Sequence, residues 1–352
     1  MPRRNYFSTN HWPKHDCIMK DIISFGDSFT DTGNLFRAKA VPPLPYYKGR
    51  FSDGPVWVEY VAMYAGNATL HDYAFGGACA NATDSHLTGP YANIPDLSAQ
   101  IRTFKGDAIA STFDPSETVF TVFAGVNDFI NAATDSTPHI PDANAIAGTV
   151  VNAIDSLASL NARDILLVNM PPIEIAPEVK PLVQYTSVIQ LLVGTFNGAI
   201  NTGASKLMAK YQGLTVTILD FNGMLKFAVT PEGMQAFNLT DVTNACLDKS
   251  NNICSSPESH LFWDDVHPTT QGHMYVAQFA YNVLNNRTGY LAPASVVMTQ
   301  TVASRVPVAT NSQSVSREGG LPLSSSIPQA NSASPPLILN LISLAVALAL
   351  VL

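Results

Sequence analysis

Short apolar runs alternate along this chain with longer segments whose apolar residues recur at helical spacing. Continuous apolar strands joined through helices are typical of a parallel sheet that is covered on both faces. We therefore predict an α/β fold, a three-layer α/β/α sandwich with a mostly parallel central sheet. The predicted strands are residues 22–25, 73–75, 118–124, 164–169 and 214–220, and the predicted helices are residues 55–64, 97–104, 145–160, 183–211 and 270–284.

The balance of charge excludes one large class of partner. The 19 Lys and Arg residues against 27 Asp and Glu residues give a net charge of −8. Because proteins that bind nucleic acid present a basic surface, we expect no nucleic-acid partner. With 352 residues, 46% of them hydrophobic and only 13% charged, the chain has enough apolar material for a large core, so it is not an intrinsically disordered protein.

The two ends of the chain differ in composition from its middle. Residues 1–20 are irregular and lack the apolar stretch of a signal peptide, whereas residues 21–290 carry the alternating pattern of a folded domain. Residues 291–336 are rich in Ser, Thr, Pro, Ala and Val, which predicts an extended stalk. Residues 337–352 form an apolar tail behind three serines and a polar spacer, the pattern of a GPI-attachment signal, with a short tail anchor as the alternative.

Cysteines and glycosylation signals predict a secreted or cell-surface protein, with the anchor or tail as its only membrane contact. Cys246 and Cys254 lie eight residues apart in a polar loop and are expected to form a disulfide. The sequence leaves open whether Cys17 and Cys79 pair. The absence of a signal peptide conflicts with this interpretation. We attribute that absence to a mispredicted or truncated start of the sequence. Asn-X-Ser/Thr sequons occur at Asn67, Asn81, Asn238 and Asn286.

Polar residues just after the predicted strands carry the candidate chemistry. Ser28 follows the first strand, but a serine is a poor nucleophile unless a base takes its proton. His267 is the candidate base, and Asp264 lies three residues before it, where a carboxylate can orient the imidazole. Two further strands end at the glycine pair 76–77 and at Gly125 before Asn127, which offer donors to an oxyanion. No zinc-like spacing of Cys and His occurs, so no structural metal is expected.

In chain order, the segments around Ser28, the glycine pair 76–77, Asn127 and His267 resemble the four sequence blocks of the GDSL/SGNH hydrolases, a superfamily of lipases and esterases. The resemblance covers about residues 21–290, and residues 49–57 are also similar to plant and fungal members. The branch it resembles most is the fungal acetylesterases of carbohydrate esterase family 16, with a general lipase-like branch as the alternative. The blocks correspond to residues 26–34, in which Phe29 stands where the family name has Leu, and to residues 73–78, 125–128 and 264–268.

The resemblance implies a flavodoxin-like sheet and a Ser-His-Asp mechanism without cofactor or metal. Ser28 would be the nucleophile, His267 the general base and later the general acid, and Asp264 the residue that stabilises the imidazolium. Asp265 is a rival for the last role, although it is off the family spacing. Four further residues of these blocks would brace the loops and take no part in the reaction: Asp27, Asp31, Asn34 and Asp128.

The resemblance also implies an oxyanion hole of three donors. These would be the Ser28 N–H, the Asn127 side-chain amide and a glycine N–H. We favour Gly77 over Gly76 for the third donor because the second glycine better matches the position in the family block.

The substrate is less constrained than the chemistry. Because no long apolar lid is evident, we expect short acyl groups, such as the acetyl esters of carbohydrates. The alternatives are a lipase or phospholipase that takes longer acyl chains, and a non-catalytic carbohydrate-binding surface protein on the same fold. Activity is expected to fall as pH drops and His267 becomes protonated. Candidates for stacking against a substrate, unless they pack the loops around the site, are Tyr46, Tyr47, Trp57 and Trp263.

Overall fold

The computed structural model describes residues 19–80, 89–134 and 139–286, and its centre is a five-stranded parallel sheet. The strand order is β2-β1-β3-β4-β5, and every neighbouring pair is parallel. This is the strand order of flavodoxin, in which ligands bind beyond the carboxyl ends of β1 and β3. The predicted fold is therefore confirmed. The strands are β1 (Asp21–Gly26), β2 (Thr69–Asp72), β3 (Thr118–Phe123), β4 (Asp164–Val168) and β5 (Thr215–Leu219).

Helices cover both faces of the sheet. One group pairs α2 with α10, and the other packs α3 and α7 against α6. All six residues of β3 are buried, as expected for a central strand between two helical layers. The helices are α1 (Asn34–Lys39), α2 (Trp57–Tyr64), α3 (Leu97–Gly106), α4 (Ile109–Thr112), α5 (Val126–Thr134), α6 (Ala143–Ser159), α7 (Thr186–Lys210), α8 (Phe221–Ala228), α9 (Pro231–Ala236) and α10 (Thr270–Asn286).

The second predicted strand is wrong in its position. β2 spans Thr69–Asp72, whereas residues 73–75 were expected to form this strand. Residues 73–75 still run beside the end of β1, because the Tyr73 N–H donates to the Ser24 carbonyl over 2.8 Å and the Phe75 N–H donates to the Gly26 carbonyl over 3.1 Å. β2 lies at the edge of the sheet and is partly exposed, so its sequence lacks the apolar run that marks the central strands.

A small second sheet and a disulfide support the loop that precedes α10. The strands β6 (Asp241–Ala245) and β7 (His260–Phe262) pair in parallel. Cys246 and Cys254 form the disulfide that the sequence predicts, just after β6. The Leu247 N–H inside this disulfide loop donates to the Trp263 carbonyl over 2.7 Å, which ties the disulfide loop to the segment that follows β7.

Removing the disulfide is expected to lower the stability of the fold. The double substitution Cys246→Ala and Cys254→Ala should reduce the free energy of unfolding by about 2–3 kcal/mol, because an eight-residue loop is no longer closed in the unfolded chain. Urea unfolding of both proteins under non-reducing conditions measures this difference. A midpoint unchanged from that of the wild type would contradict the prediction, and adding a reductant should destabilise only the wild type.

Several sequence predictions lie outside the described residues. These are Cys17, Asn81, the stalk, the terminal tail and nearly all of the N-terminal segment, together with the side chain of Asn286. Cys79 is described, and its buried sulfur accepts a hydrogen bond from the Asn131 amide over 3.0 Å. Asn67 and Asn238 are exposed. Within the three described ranges, no helix combines the length and apolar character needed to cross a bilayer.

Candidate active site

The turn that carries Ser28 is fixed by close contact between β1 and β3. A β-carbon on Gly26 would overlap the Phe123 carbonyl oxygen, so the position requires glycine. The buried side chain of Gln100 holds the same residue: its Oε1 accepts from the Gly26 N–H over 2.9 Å, and its Nε2 donates to the Gly26 carbonyl over 2.8 Å. Sequence analysis missed Gln100, since a glutamine within a helix gives no signal of a contact to a residue 74 positions away.

Ser28, His267 and Asp264 form a continuous hydrogen-bonded chain. The Ser28 Oγ lies 2.7 Å from the His267 Nε2, and the His267 Nδ1 lies 2.8 Å from the Asp264 Oδ2 and 2.9 Å from its Oδ1. A carboxylate can only accept, so the Nδ1 carries the proton and donates it. The Nε2 is then left to accept the hydrogen bond of the Ser28 hydroxyl. The three residues predicted from separate ends of the chain thus meet in one place.

The carboxylate of Asp264 is held in its charged form. Its Oδ1 accepts from the backbone N–H groups of Val266 (2.9 Å) and His267 (2.7 Å), and its Oδ2 accepts from the Tyr46 hydroxyl (2.9 Å). Burial acts to raise the pKa of Asp264, but the charge of His267 and these backbone hydrogen bonds outweigh it and hold the pKa below its usual range. A charged acceptor is therefore present to orient the imidazole.

Asp265 does not share this position. Its carboxylate lies 3.7 Å from the Lys249 ammonium, and its backbone carbonyl accepts from the Glu178 N–H over 3.0 Å. The imidazole nitrogen of His267 bonds to Asp264 instead. The geometry therefore separates the two aspartates that the sequence left as rivals.

The two glycines after residue 75 have different surroundings. The Gly76 N–H donates to the Asp31 Oδ2 over 2.7 Å, so this donor is already occupied. The Gly77 N–H has no acceptor among the described residues. Gly77 has a φ of +78°, and a β-carbon there would lie 2.6 Å from the Tyr91 ring, so both its backbone conformation and its space require glycine. Of the pair, Gly77 is the one with a donor to offer.

The amide of Asn127 connects the end of β3 to this glycine turn. Its Nδ2 donates to the Ala78 carbonyl over 2.9 Å, directly after Gly77 in the chain. A side-chain amide carries two hydrogens, so the second remains for another acceptor. The Ser28 N–H also has no acceptor among the described residues. Since β1 and β3 are neighbours in the sheet, Ser28 and Asn127 both follow strands at the same carboxyl edge.

Comparison with known proteins assigns the chain that carries this site to a family. The family described as GDSL-like lipase/acylhydrolase matches residues 22–279, a span that includes all the residues of the hydrogen-bonded chain. The chain belongs to this family. It is accordingly a carboxylic ester hydrolase, as the sequence predicts. The narrower assignment to carbohydrate esterase family 16 remains a prediction.

Three relatives of this GDSL hydrolase illustrate the range of names in the family. The chain is 29% identical to a thermolabile hemolysin of Vibrio parahaemolyticus, over 81% of this chain and 70% of the relative. It is 25% identical to a phosphatidylcholine-sterol acyltransferase of Aeromonas hydrophila, over 77% and 92% of the two chains. It is 23% identical to an acetylesterase of Hypocrea jecorina, over 79% and 92% of the two chains.

Aspartates brace the loops of the GDSL hydrolase. Asp128 accepts from the Ala80 N–H over 2.8 Å, which links α5 to the glycine turn. Asp31 links the turn after β1 to the same glycine turn through its buried carboxylate. These contacts fix the loops that carry the candidate donors relative to one another. The backbone N–H groups that donate to Asp31 are those of Gly33, Asn34, Leu35 and Gly76.

Of the four aromatic residues proposed for substrate stacking, two are buried and a third bonds to Asp264. Trp57 and Trp263 are each 1% exposed, so neither ring can meet a substrate and this prediction is wrong for both. Trp57 packs in the core, and Trp263 packs against the Tyr46 ring. Tyr46 directs its hydroxyl to Asp264 instead of toward solvent. Tyr47 is partly exposed, with the Lys48 ammonium 5.1 Å from the ring centre, and its proposed role stays a prediction.

The described residues include one cluster of metal-ligand type. It consists of Cys246, Cys254 and His260, whose ligand atoms lie within 4.8 Å of one another. Because the two sulfurs are joined in a disulfide, they are not the thiolates that bind metals. This cluster is therefore not suited to hold a metal ion.

Asp27 is a buried acid directly before the nucleophile candidate. Its Oδ1 accepts from the Phe29 N–H over 3.1 Å, while its Oδ2 has no hydrogen-bond partner among the described residues. Burial raises the pKa of Asp27 to about 7, well above the value of about 3.9 in an unfolded chain. Between about pH 4 and 7 the folded state therefore binds a proton that the unfolded state does not. The contribution of Asp27 to stability rises as pH falls through that window.

The substitution Asp27→Asn is expected to remove this dependence. At pH 8 the wild type has a buried charge that the amide lacks, so the variant should melt several degrees higher. At pH 5 the difference should fall to less than half of its value at pH 8, because folded Asp27 is then neutral and only ionisation in the unfolded chain still disfavours folding. Thermal unfolding at both pH values measures this difference. Asp155→Asn is the control, because it removes an ion pair with Lys210 that is present at both pH values, so its melting difference from wild type should not depend on pH. A melting difference that is the same at both pH values would rule out this explanation.

Proposed function

We propose that this hydrolase cleaves carboxylic esters through an acyl-enzyme on Ser28, with His267 as the base and Asp264 as the residue that orients it. The observation that carries the proposal is the unbroken chain from the Ser28 Oγ through His267 to the Asp264 carboxylate. A serine becomes nucleophilic when an oriented imidazole accepts its proton, and this geometry supplies both the acceptor and its orientation.

The proposed reaction has two steps that share one set of residues. The Ser28 Oγ attacks the ester carbonyl while its proton passes to the His267 Nε2. The imidazolium that forms is stabilised by Asp264 and gives its proton to the departing alcohol, which leaves an acyl group on Ser28. A water molecule then attacks the acyl carbonyl and transfers a proton to His267, which returns it to the Ser28 Oγ as the acyl–oxygen bond breaks and the acid is released.

We propose that the oxyanion of each tetrahedral intermediate is bound by three donors. They are the Ser28 N–H, the Gly77 N–H and the second hydrogen of the Asn127 amide. Two hydrogen bonds support this choice: Gly76 already donates to Asp31, and Asn127 is held beside Gly77 through the Ala78 carbonyl. Donors fixed before the reaction stabilise developing charge without reorganisation.

The acyl group is not decided by the family. The relatives include an acetylesterase, which agrees with the short-chain prediction, and a phosphatidylcholine-sterol acyltransferase, which favours a longer acyl group. We propose a cell-surface or secreted location for the reaction. The Cys246–Cys254 disulfide supports an oxidising compartment, and the sequons at Asn67 and Asn238 are exposed as glycosylation requires.

Covalent labelling tests the proposed nucleophile directly. A fluorophosphonate reagent that reacts with activated serines should modify the full chain once, on the peptide that contains Ser28, as read by mass spectrometry. The His267→Ala variant should lose this labelling. The matched control is His71→Ala, which removes another His–Asp pair, 3.1 Å from Asp21, and should leave labelling intact. A folded wild type that is not labelled, or is labelled elsewhere, would refute the proposal and favour the carbohydrate-binding alternative.

The Tyr46 hydroxyl provides a test of the charge on Asp264. Tyr46→Phe removes the donor to the Asp264 Oδ2, so the carboxylate should interact more strongly with the imidazolium and favour protonated His267. The acidic limb of the kcat/KM profile is therefore expected to move to higher pH. Tyr73→Phe is the control because it removes an equivalent hydrogen bond to Asp107, away from His267. A profile that falls in height without shifting would contradict this effect.

A further inference from the structure

A deep apolar cavity lies next to the candidate catalytic residues. Its volume is about 190 Å³. Most of the wall comes from three places: the start of α5, the irregular segment between β4 and α7, and the first turns of α7. These segments contribute Val126, Ala176 and Val188 among others, and the wall reaches the surface at Ile140, which is 37% exposed. The cavity is therefore open to solvent beside Ile140.

The cavity is lined by residues that flank the candidate catalytic residues in the chain. Phe29, which follows Ser28, and Val126, which precedes Asn127, both line it. Val266 and Pro268, on either side of His267, line it as well. The Phe29 ring also packs against the His267 ring, with 5.3 Å between their centres. The cavity wall thus comes within one residue of Ser28, Asn127 and His267 in the chain.

The lining indicates which part of an ester would enter. Nearly all the lining side chains are aliphatic, proline or phenylalanine; the side chains with polar groups are His139, Glu178 and Tyr185. A sugar ring needs several hydrogen-bonding partners, which such a lining does not offer. An acetyl group would leave most of the cavity empty. An aliphatic chain would fill it and remove apolar surface from water.

We infer that this cavity binds the acyl chain of the ester, and that the preferred substrates are esters of aliphatic acids of about eight carbons. A cavity of about 150 Å³ accommodates benzene, so about 190 Å³ corresponds to roughly eight carbons. The inference rests on the proposed function, because it places the acyl carbonyl at Ser28. It replaces the acetyl preference that the sequence suggested.

A ladder of ester chain lengths tests the inference on the full chain. Hydrolysis of p-nitrophenyl acetate and p-nitrophenyl octanoate is compared by kcat/KM. Each buried CH₂ is worth roughly a fourfold gain, so burial of half of the six extra methylenes predicts about a 60-fold preference for octanoate. A preference for acetate would overturn the inference while leaving the proposed hydrolysis in place.

A cavity-filling variant tests whether the preference comes from this cavity. Val188→Trp places a large ring in the space and should lower kcat/KM for octanoate at least about tenfold, with acetate turnover within about twofold of wild type. Leu191→Trp is the matched control on the next turn of α7, because Leu191 is 68% exposed and lies outside the lining. It should leave both substrates unchanged.

The remaining outcomes distinguish a failure of the inference about the cavity from a failure of the proposed function. Retained acetate turnover shows that the variant is folded, and Ala176→Phe, which fills the cavity from another wall, provides a second variant if Val188→Trp loses both substrates. If both filled variants turn over octanoate as well as wild type, the acyl chain binds elsewhere and the inference fails. If the folded wild type hydrolyses neither ester and resists fluorophosphonate labelling, the proposed function fails and the inference with it.

Discussion

Replacing Ser28 with alanine is expected to lower kcat for ester hydrolysis by a factor on the order of 10⁶, the scale seen when a triad nucleophile is removed. The acyl-enzyme cannot form without the Oγ, and His267 alone cannot substitute for it. Since the only hydrogen bond of the Oγ among the described residues is to His267, the variant should fold as the wild type does. The rate is measured with p-nitrophenyl octanoate on the full chain, and thermal unfolding checks the fold.

A serine within β1, the strand that precedes Ser28, supplies the control for this variant. Ser24 is fully buried, and its hydroxyl accepts from the Thr121 hydroxyl over 2.9 Å, so Ser24→Ala changes stability but has no contact with the reaction centre. It should retain ester hydrolysis. Residual activity of Ser28→Ala within tenfold of wild type would contradict the assignment of the nucleophile.

Replacing Asp264 with asparagine is expected to lower kcat about 10⁴-fold, a loss comparable with that seen when a triad aspartate is made an amide. The Oδ1 must still accept two backbone N–H groups, so the amide nitrogen takes the place of the Oδ2 and faces His267. An amide N–H there requires the Nδ1 to accept, which moves the imidazole proton to the Nε2. The Nε2 can then no longer take the proton of Ser28.

The adjacent aspartate makes this prediction specific. Asp265→Asn changes a carboxylate that faces Lys249 and not the imidazole, so its activity should stay within about twofold of wild type. Both variants are compared by kcat on one ester at a pH above the acidic limb of the profile. Equal losses in the two variants would mean that Asp264 has no special role, and a larger loss in Asp265→Asn would reverse the assignment.

Local patterns predicted the parts of this hydrolase that are continuous in the chain. The three inner strands of the sheet, β1, β3 and β4, are apolar and mostly buried, and residues 118–124 already show β3 by composition alone. The edge strand β2 was displaced because an exposed strand takes its position from the backbone of β1 and not from apolar side chains. The short helices α8 and α9 have too few turns to give a clear period.

The residues of the candidate site also fall into two groups, those in local sequence motifs and those that only the fold brings together. Ser28 and the Asp264–His267 pair stand in short motifs beside strand ends, and such motifs are visible in one sequence. Tyr46 reaches Asp264 across 218 residues and Gln100 reaches Gly26 across 74, and no local pattern signals either contact. The apolar cavity was missed for the same reason, since its walls come from segments far apart in the chain.

The separation of Ser28 from His267 has a consequence for the making of the protein. The two residues are 239 positions apart, one just after the first strand and the other just before the last helix. At 5–20 residues per second, the ribosome releases the serine roughly 10–50 s before the histidine. Until residue 267 has been synthesised, a nascent chain therefore carries Ser28 without its base and cannot hydrolyse esters by the proposed route. Ester hydrolysis thus reports that translation of the domain has been completed.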